Sequence, residues 1–421
     1  MTRLPEVILK HTELIKRVLV ILAFGCCFVG CWKKQVSRPV AIDRKAPIKT
    51  NQVRVLLHDN VMQCKLSSTG GFSVNDSLTT PKAHFSRNSS PLEIIAAAGY
   101  IRIGERMFGN GCVIEPDPGS LLSVNGKMYR GVIKLFTLAD GKSLRVINQL
   151  DIEQYLAGVV GAEMPSYWQQ HALKAQAIAA RTYCLYTKNR FGANQMWDVR
   201  KTQANQVYRG VSAETATVKQ AVAETRAMVL MCKLRDSTTG IFPTYYSSTC
   251  GGHTESSYNT FGEYFPPLNG VVCQYCKKTA QRNYLAWGPV KFTESEITAK
   301  VLARYPSLSE LEKIESIVPA KNSVYGQEDG RIISFRLIGK NGRDAYLKGE
   351  DLRLTIDPAG TKFKSTFCKT EKVKGGYIFT GKGFGHGVGM CQYGAQALAR
   401  EGYNYKQILK YYYPTATLTR Y

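Results

Sequence analysis

Apolar positions recur with helical spacing on either side of one corner of this chain. Tyr155, Leu156, Val159 and Val160 make a first stripe, and Trp168, Ala172, Ala175, Ala179, Tyr183 and Tyr186 a second. Asp151 stands where an N-cap is wanted, with Gln154 three residues on, the spacing of a capping box. Pro165 suits the first position of the second helix, where no backbone N–H is needed. The residue before a proline is pushed out of the α region, so Met164 is expected to be extended. Glu163 thus stands at a kinked junction between two helices. Upstream, from about residue 53 to 147, short alternating segments separated by Asn125-Gly126 and Asp140-Gly141 read as strands and turns. The segment 67–91, rich in Ser, Thr, Asn and Gly, reads as loop. Downstream we expect a helix over 213–225, strands over 228–232 and 241–247, a loop-rich insert over 250–276, a helix over 292–305 and a strand over 332–338. A glycine-rich segment over 375–390 precedes two closing helices, 392–400 and 405–412. Such an order of elements predicts an α+β fold: a helical core packed on mixed β-sheets, with an N-terminal β-rich part.

Charge adds a second constraint. The 421 residues carry a formal net charge of +24, of which +7 falls in residues 1–50. The rest is spread without a run of five like charges, which predicts a broadly basic surface and a polyanionic partner. No helix-turn-helix, finger or RNA-binding signature is present, so no nucleic acid is expected. An acidic polymer or an anionic membrane fits. At the N-terminus Lys10, Lys16 and Arg17 precede the uncharged run 18–32, followed by Lys33 and Lys34. Fifteen residues are short for a spanning helix, which needs about 20; the pattern is that of an export signal. Phe28-Val29-Gly30-Cys31 resembles a lipoprotein box. Lipoprotein and uncleaved signal anchor both remain open, and either puts the body outside the cytoplasm, on the extracytoplasmic or periplasmic face. Residues 33–52, basic and containing Pro39 and Pro47, read as a linker.

Three groups of residues could carry chemistry. Glu163, a lone carboxylate among apolar neighbours at a bend, suits general acid–base work if burial keeps it partly protonated. The N-terminus of the following helix would oppose that by favouring the anion. Cys250-Gly-Gly-His253 and Cys273-Gln-Tyr-Cys276 together offer three thiolates and an imidazole, a complete tetrahedral set for a closed structural zinc that pins the loop insert. The competing reading is a Cys273–Cys276 disulfide with His253 on the surface. In the run from Gly381 to Gly394, glycine alternates with larger residues. Gly376, with Gly381-Lys382 after four intervening residues, nearly matches a phosphate loop, but Gly383 replaces the hydroxyl residue that would hold Mg²⁺. Alternating glycines either let a ligand approach, with His386 facing a groove, or permit tight packing. Cys391 begins a helix and could pair with His386 as a nucleophile.

Several of these stretches, in order, resemble the SpoIID/LytB family. Ala162-Glu163-Met164-Pro165 and the run from Leu173 to Tyr183 resemble its core. The run from Tyr246 to Glu255 resembles its next block, and the runs from Gly383 to Ala395 and from Ile408 to Pro414 its C-terminal blocks. The resemblance covers roughly residues 125–421. It implies a peptidoglycan lytic transglycosylase in which Glu163 first protonates the bond between N-acetylmuramic acid and N-acetylglucosamine. The same carboxylate then takes the C6 hydroxyl proton as a 1,6-anhydro ring closes. It also implies a place for structural Zn²⁺, and a rival reading as a non-catalytic, wall-binding modulator of an amidase. Arg181, Gln206, Tyr208, Ser248, His386, Gln392 and Tyr393 are the residues expected to line the glycan groove; Cys250, His253, Cys273 and Cys276 are the expected metal ligands. Departures are Cys391 where Ser is usual, and a partial match over 197–206, which puts part of the groove lining in doubt. The expected organisation is an export segment, membrane anchor and linker over 1–52, a β-rich region over 53–124 and a catalytic region over 125–421.

Overall fold

The structure is a computed structural model, and it describes residues 51–76, 82–87, 90–326 and 328–421. The expected export segment lies outside the described residues. Among the described residues, no helix is long and apolar enough to cross a membrane.

The architecture is α+β, with several separate sheets around two hydrophobic cores. In the seven-stranded sheet, Gln52–Val61 pairs antiparallel with Leu144–Asp151 and parallel with the short Val199–Arg200. Next to Leu144–Asp151 lie in turn Val132–Thr137, Gly111–Pro116, Phe72–Asp76 and Ala83–Phe85. A six-stranded sheet runs from Lys127–Tyr129 to Arg106–Phe108. Its hairpin at Asn125-Gly126 has positive φ at both turn residues, as a two-residue primed turn demands. The expected loop over 67–91 holds two strands, Phe72–Asp76 and Ala83–Phe85. The polar composition hid a period of two: Phe72 and Val74 are buried while the residues between them are not.

Leu144–Asp151 leads into helix α1 (Ile152–Glu163), where the Asp151 carboxylate accepts from Glu153 N at 2.8 Å. Met164 is extended, with φ −130° and ψ 143°. The second helix, α2 (Gln170–Phe191), starts five residues later than Pro165 suggested. Residues 165–168 form a turn closed by Trp168 N donating to Pro165 O (3.0 Å), and Gln169 N donates to Gln396 Oε1 (2.9 Å). The C-terminal helix therefore holds this corner. The closing helices, Gln392–Arg400 and Tyr405–Tyr412, are where the apolar pattern put them. The helix expected over 292–305 is Glu294–Arg304, begun by a capping box between Thr293 and Glu296.

One core cluster runs from Val53 through both helices to Tyr413. A second, from Trp287 to Phe379, is built between the loop-rich insert and the glycine-rich segment. It comprises two three-stranded sheets and the helices Glu294–Arg304 and Gly349–Ile356. Helix α1 sits unusually close to its neighbours. A Cβ at Gly158 would run into the Tyr208 ring, and one at Gly161 into the Ala213 carbonyl. Each interior glycine costs about 1 kcal/mol of helix propensity, which the close approach of the 207–213 segment offsets.

The two helices are also braced by charge. Arg181, fully buried on α2, donates Nε and Nη2 to the Glu153 carboxylate at 2.9 and 2.6 Å, and Nη1 to Met228 O at 3.2 Å. Removing one partner of a buried pair leaves an uncompensated charge. We expect Glu153→Ala to cost about 3–5 kcal/mol of stability, read as a lowered thermal midpoint by circular dichroism. An unchanged midpoint would mean that Arg181 finds water instead.

Candidate active site

Glu163 is the last residue of α1, and its carboxylate is only partly accessible. Val207 N donates to Oε1 at 2.8 Å, and Gln392 Nε2 makes a longer contact of 3.5 Å to Oε2. Burial pushes the Glu163 pKa up to about 7; the Val207 and Gln392 hydrogen bonds and the charge of Arg209 pull the other way without prevailing. The expected opposition from a following helix N-terminus is relieved by the late start of α2. Glu163 instead sits at a helix C-terminus, whose partial negative charge disfavours a carboxylate. No other carboxylate figures among the groups acting on it. The site is thus one carboxyl group held half-protonated near neutrality, with a fixed donor on one oxygen.

Around it the expected groove residues divide. Gln392 is buried and bridges toward Glu163 and toward Gln176 Oε1, the second contact also at 3.5 Å. Tyr393, partly exposed, packs edge-on against Trp168 with centroids 4.8 Å apart, and its ring lies 5.3 Å from that of Tyr284. Ser248 is partly exposed; its carbonyl accepts from Tyr393 N. Gln206 is buried and does not reach open space: it accepts from Tyr155 OH at 3.1 Å and donates to Ala180 O and Tyr246 OH at 3.1 and 2.9 Å. Its contribution is to fix the backbone that carries Val207 N. Tyr208 is a core residue, bonded to Asn148 Oδ1 at 2.9 Å, and Arg181 is the buried brace described above. These two are corrected from groove lining to packing, because their polar atoms are already engaged inside the fold.

His386 is partly accessible beside the rings of Tyr245 and Phe261. Its Nδ1 accepts from Val388 N at 3.0 Å, which leaves Nε2 to carry the proton of the neutral ring. Burial lowers its pKa to about 4, so it is neutral at physiological pH. Of the two uses considered for the glycines around it, tight packing is the one observed. Gly387 lies against the buried Arg331 guanidinium, where a Cβ would collide. Met390–Cys391 meanwhile pairs parallel with Tyr246–Ser247 and so aims Gln392 at the site.

The sulfur cluster differs from the expected set. The thiols of Cys250, Cys273, Cys276 and Cys391 are buried, with all four sulfurs within 4.8 Å of one another. His253 is not among them. Its Nδ1 meets Thr254 O at 2.6 Å and its ring stacks on Tyr325 at 4.0 Å. Cys391 supplies the fourth sulfur instead, and accepts from Cys250 N at 3.4 Å. Among the described residues every cysteine is a free thiol, including Cys273 and Cys276. The Cys250 and Cys276 sulfurs are 3.8 Å apart. Four thiolates on a tetrahedral ion with Zn–S about 2.3 Å would sit about 3.8 Å from one another. The donor set therefore fits a closed metal site. It also removes Cys391 as a nucleophile, because its sulfur is buried among the other three.

The sequence reading missed Gln176, a fully buried amide on α2 whose Nε2 has no partner among the described residues. It also missed Ser247, whose Oγ is buried and likewise unpartnered. A polar residue inside the apolar run Ala175–Ala180 was the available signal for Gln176.

The SpoIID family profile, described as stage II sporulation protein, matches residues 140–232, which include Glu163 and Val207. The chain is 34% identical over 319 residues to an uncharacterized protein of Brachyspira hyodysenteriae, covering 73% of this chain and 76% of that one. It is 31% identical over 350 residues to the amidase enhancer of Bacillus subtilis, covering 75% of this chain but 48% of the relative, so it spans about half of that protein. To the stage II sporulation protein D of Bacillus subtilis it is 32% identical over 282 residues, covering 63% of this chain and 74% of that one. With the profile matched around the Glu163 corner and identity carried across three quarters of stage II sporulation protein D, this chain belongs to the SpoIID/LytB family.

Proposed function

We propose that this protein is a peptidoglycan lytic transglycosylase, with Glu163 as its only acid–base group. The observation that carries the reading is a solitary, desolvated carboxyl group with a pKa near 7, still accepting a backbone hydrogen bond. Hydrolysis of a glycoside ordinarily needs two carboxylates. A reaction in which the sugar's own C6 hydroxyl attacks needs one, acting first as acid and then as base. Protonated Glu163 delivers its proton to the bridging oxygen between N-acetylmuramic acid and N-acetylglucosamine. The resulting carboxylate, steadied by Val207 N–H, then accepts the C6 hydroxyl proton as the 1,6-anhydro ring closes. Gln392 and Tyr393 line the groove beside it, and His386 with Ser248 flanks it as a neutral wall. The basic surface suits an acidic wall polymer. Residues 1–52 act as export signal and tether, and residues 53–124 and 125–421 as the β-rich and catalytic parts. The protein then works on the extracytoplasmic face of the membrane.

The likeness to an amidase enhancer favours one rival, a non-catalytic module that binds the wall and raises the activity of an amidase. Glu163→Gln separates the two on purified sacculi. The variant should lose about 10²–10⁴-fold in release of anhydro-muropeptides, measured by mass spectrometry. Product release by the Gln variant at the wild-type rate would remove Glu163 from the chemistry. No product from either protein, with amidase stimulation intact, would favour the module.

The raised pKa gives a pH signature. Cleavage should fall as pH rises through about 7, where the acid form is lost. Stability is linked in the same window. Folded Glu163 holds its proton up to about 7 against an ordinary 4.5, so the folded state loses stability between those values as pH rises. Glu163→Gln should therefore match the wild type in stability near pH 4.5 and exceed it at pH 8 by about 1–3 kcal/mol, read as a higher thermal midpoint at pH 8 only.

For the sulfur cluster we propose a structural Zn²⁺ held by Cys250, Cys273, Cys276 and Cys391, which clamps the loop insert to the helix start that bears Gln392. Metal analysis should give about one zinc per chain. Cys391→Ser should lower that content together with the melting temperature, whereas His253→Ala should leave the content unchanged. Loss of zinc from the His253 variant alone would restore the mixed ligand set.

A further inference from the structure

Beyond the sulfur cluster, residues between His253 and Asn269, the hairpin residues Ser323 to Tyr325 and Arg235 line an open cavity of about 550 Å³. None of its lining residues touches Glu163, and the motif that reaches it, His253-Thr254-Glu255, is left without a role once Cys391 completes the cluster.

The floor is rigid. Glu255, 3% exposed, has both oxygens engaged: Oε1 accepts from Ser256 N at 2.7 Å and Asn259 Nδ2 at 3.0 Å, and Oε2 accepts from Tyr325 OH at 2.6 Å. The Tyr325 ring is in turn stacked on His253, 4.0 Å apart and 15° from parallel. This network joins the motif strand to the hairpin of the second core, so the cavity exists only because both cores are in place. With three donors on it, the Glu255 carboxylate is an anchor and not a ligand for a cation.

The walls are uncommitted. Tyr258 and Tyr264 are 56% and 42% exposed, and the Arg235 guanidinium at the rim makes no hydrogen bond or ion pair among the described residues. Tyrosine offers an apolar ring with a polar tip, which suits the C–H face and hydroxyls of a pyranose. With its Nδ2 bonded to Glu255, Asn259 leaves Oδ1 as the acceptor that an N-acetyl N–H requires. Arg235 then calls for a carboxylate, which a guanidinium binds through paired N–H donors. The volume lies within the range of pockets that enclose one small ligand.

We propose that this cavity is a second glycan site, separate from Glu163, that binds a hexosamine bearing a carboxylate. The cavity rests on geometry; the sugar character of its occupant rests on the reading of the chain as a glycan-directed protein. A second foothold on one polymer raises the effective concentration of the bond presented to Glu163.

The test uses the full-length chain carrying Glu163→Gln and free N-acetylmuramic acid, whose lactyl carboxylate is unblocked, as probe, by calorimetry. Arg235→Ala and Tyr258→Ala, both at exposed positions, should each weaken binding at least fivefold with the melting temperature unchanged. The N-acetylglucosamine trimer, which has no carboxylate, should bind identically with and without Arg235→Ala. N-acetylmuramic acid binding that is absent from the parent, or undiminished when Arg235→Ala and Tyr258→Ala are combined, overturns the proposal. Equal weakening of the trimer by Arg235→Ala overturns the carboxylate assignment. Failure of the enzyme reading is seen separately, as absent cleavage by the wild type with cavity binding intact.

Discussion

A carboxyl group can be withdrawn from water or given a hydrogen bond from the backbone, and the two act oppositely on its proton. Glu163 receives both, and burial wins. Much of the surrounding structure serves to make that balance reproducible. Helix α1 must end where it does, so that the carboxyl group sits at the negative end of a helix. The 207–213 segment must lie directly on α1, which the glycines at 158 and 161 permit. Gln206 must be held by Tyr155, Ala180 and Tyr246, because its neighbour provides the N–H that Glu163 accepts.

That dependence explains why so many polar groups near the site are buried and satisfied. Arg181 and Glu153 brace the two helices, Tyr208 and Asn148 tie the segment to the sheet, and His386 is kept neutral between two aromatic rings. None of these has to touch a substrate to matter. Were the 207–213 segment to move off α1, the Glu163 carboxyl group would lose the Val207 N–H that acts against its burial. The unpartnered Gln176 Nε2 and Ser247 Oγ are two exceptions, and they lie on the elements that face Glu163 and Gln392.

The sequence made the corner legible because it is local: a stripe, a proline and a carboxyl group within a few residues. The closing helices were legible for the same reason, their apolar period being uninterrupted. What it concealed depended on distance. Arg181 looked like a groove residue because its partner, Glu153, lies 28 residues earlier on another helix. His253 looked like a ligand because it is three residues from Cys250, whereas the sulfur that completes the cluster is 141 residues from it. The strands at Phe72–Asp76 and Ala83–Phe85 were masked by composition, since only every second residue is apolar. The cavity behind Glu255 could not be read at all, because its two halves come from different cores.

The two contacts on the Glu163 carboxylate differ in their separation along the chain. Val207 is 44 residues away, and Gln392 is 229. A polypeptide is made and threaded across a membrane from its N-terminus, so folding domains take shape in that order. The first contact is available early; the second waits until Cys391 and the helix behind it have emerged and found Cys250. A chain caught midway therefore carries Glu163 without its contact to Gln392. On the proposed reading, competence arrives with nearly the last segment to appear, which would confine cleavage of glycan to molecules whose export is all but finished.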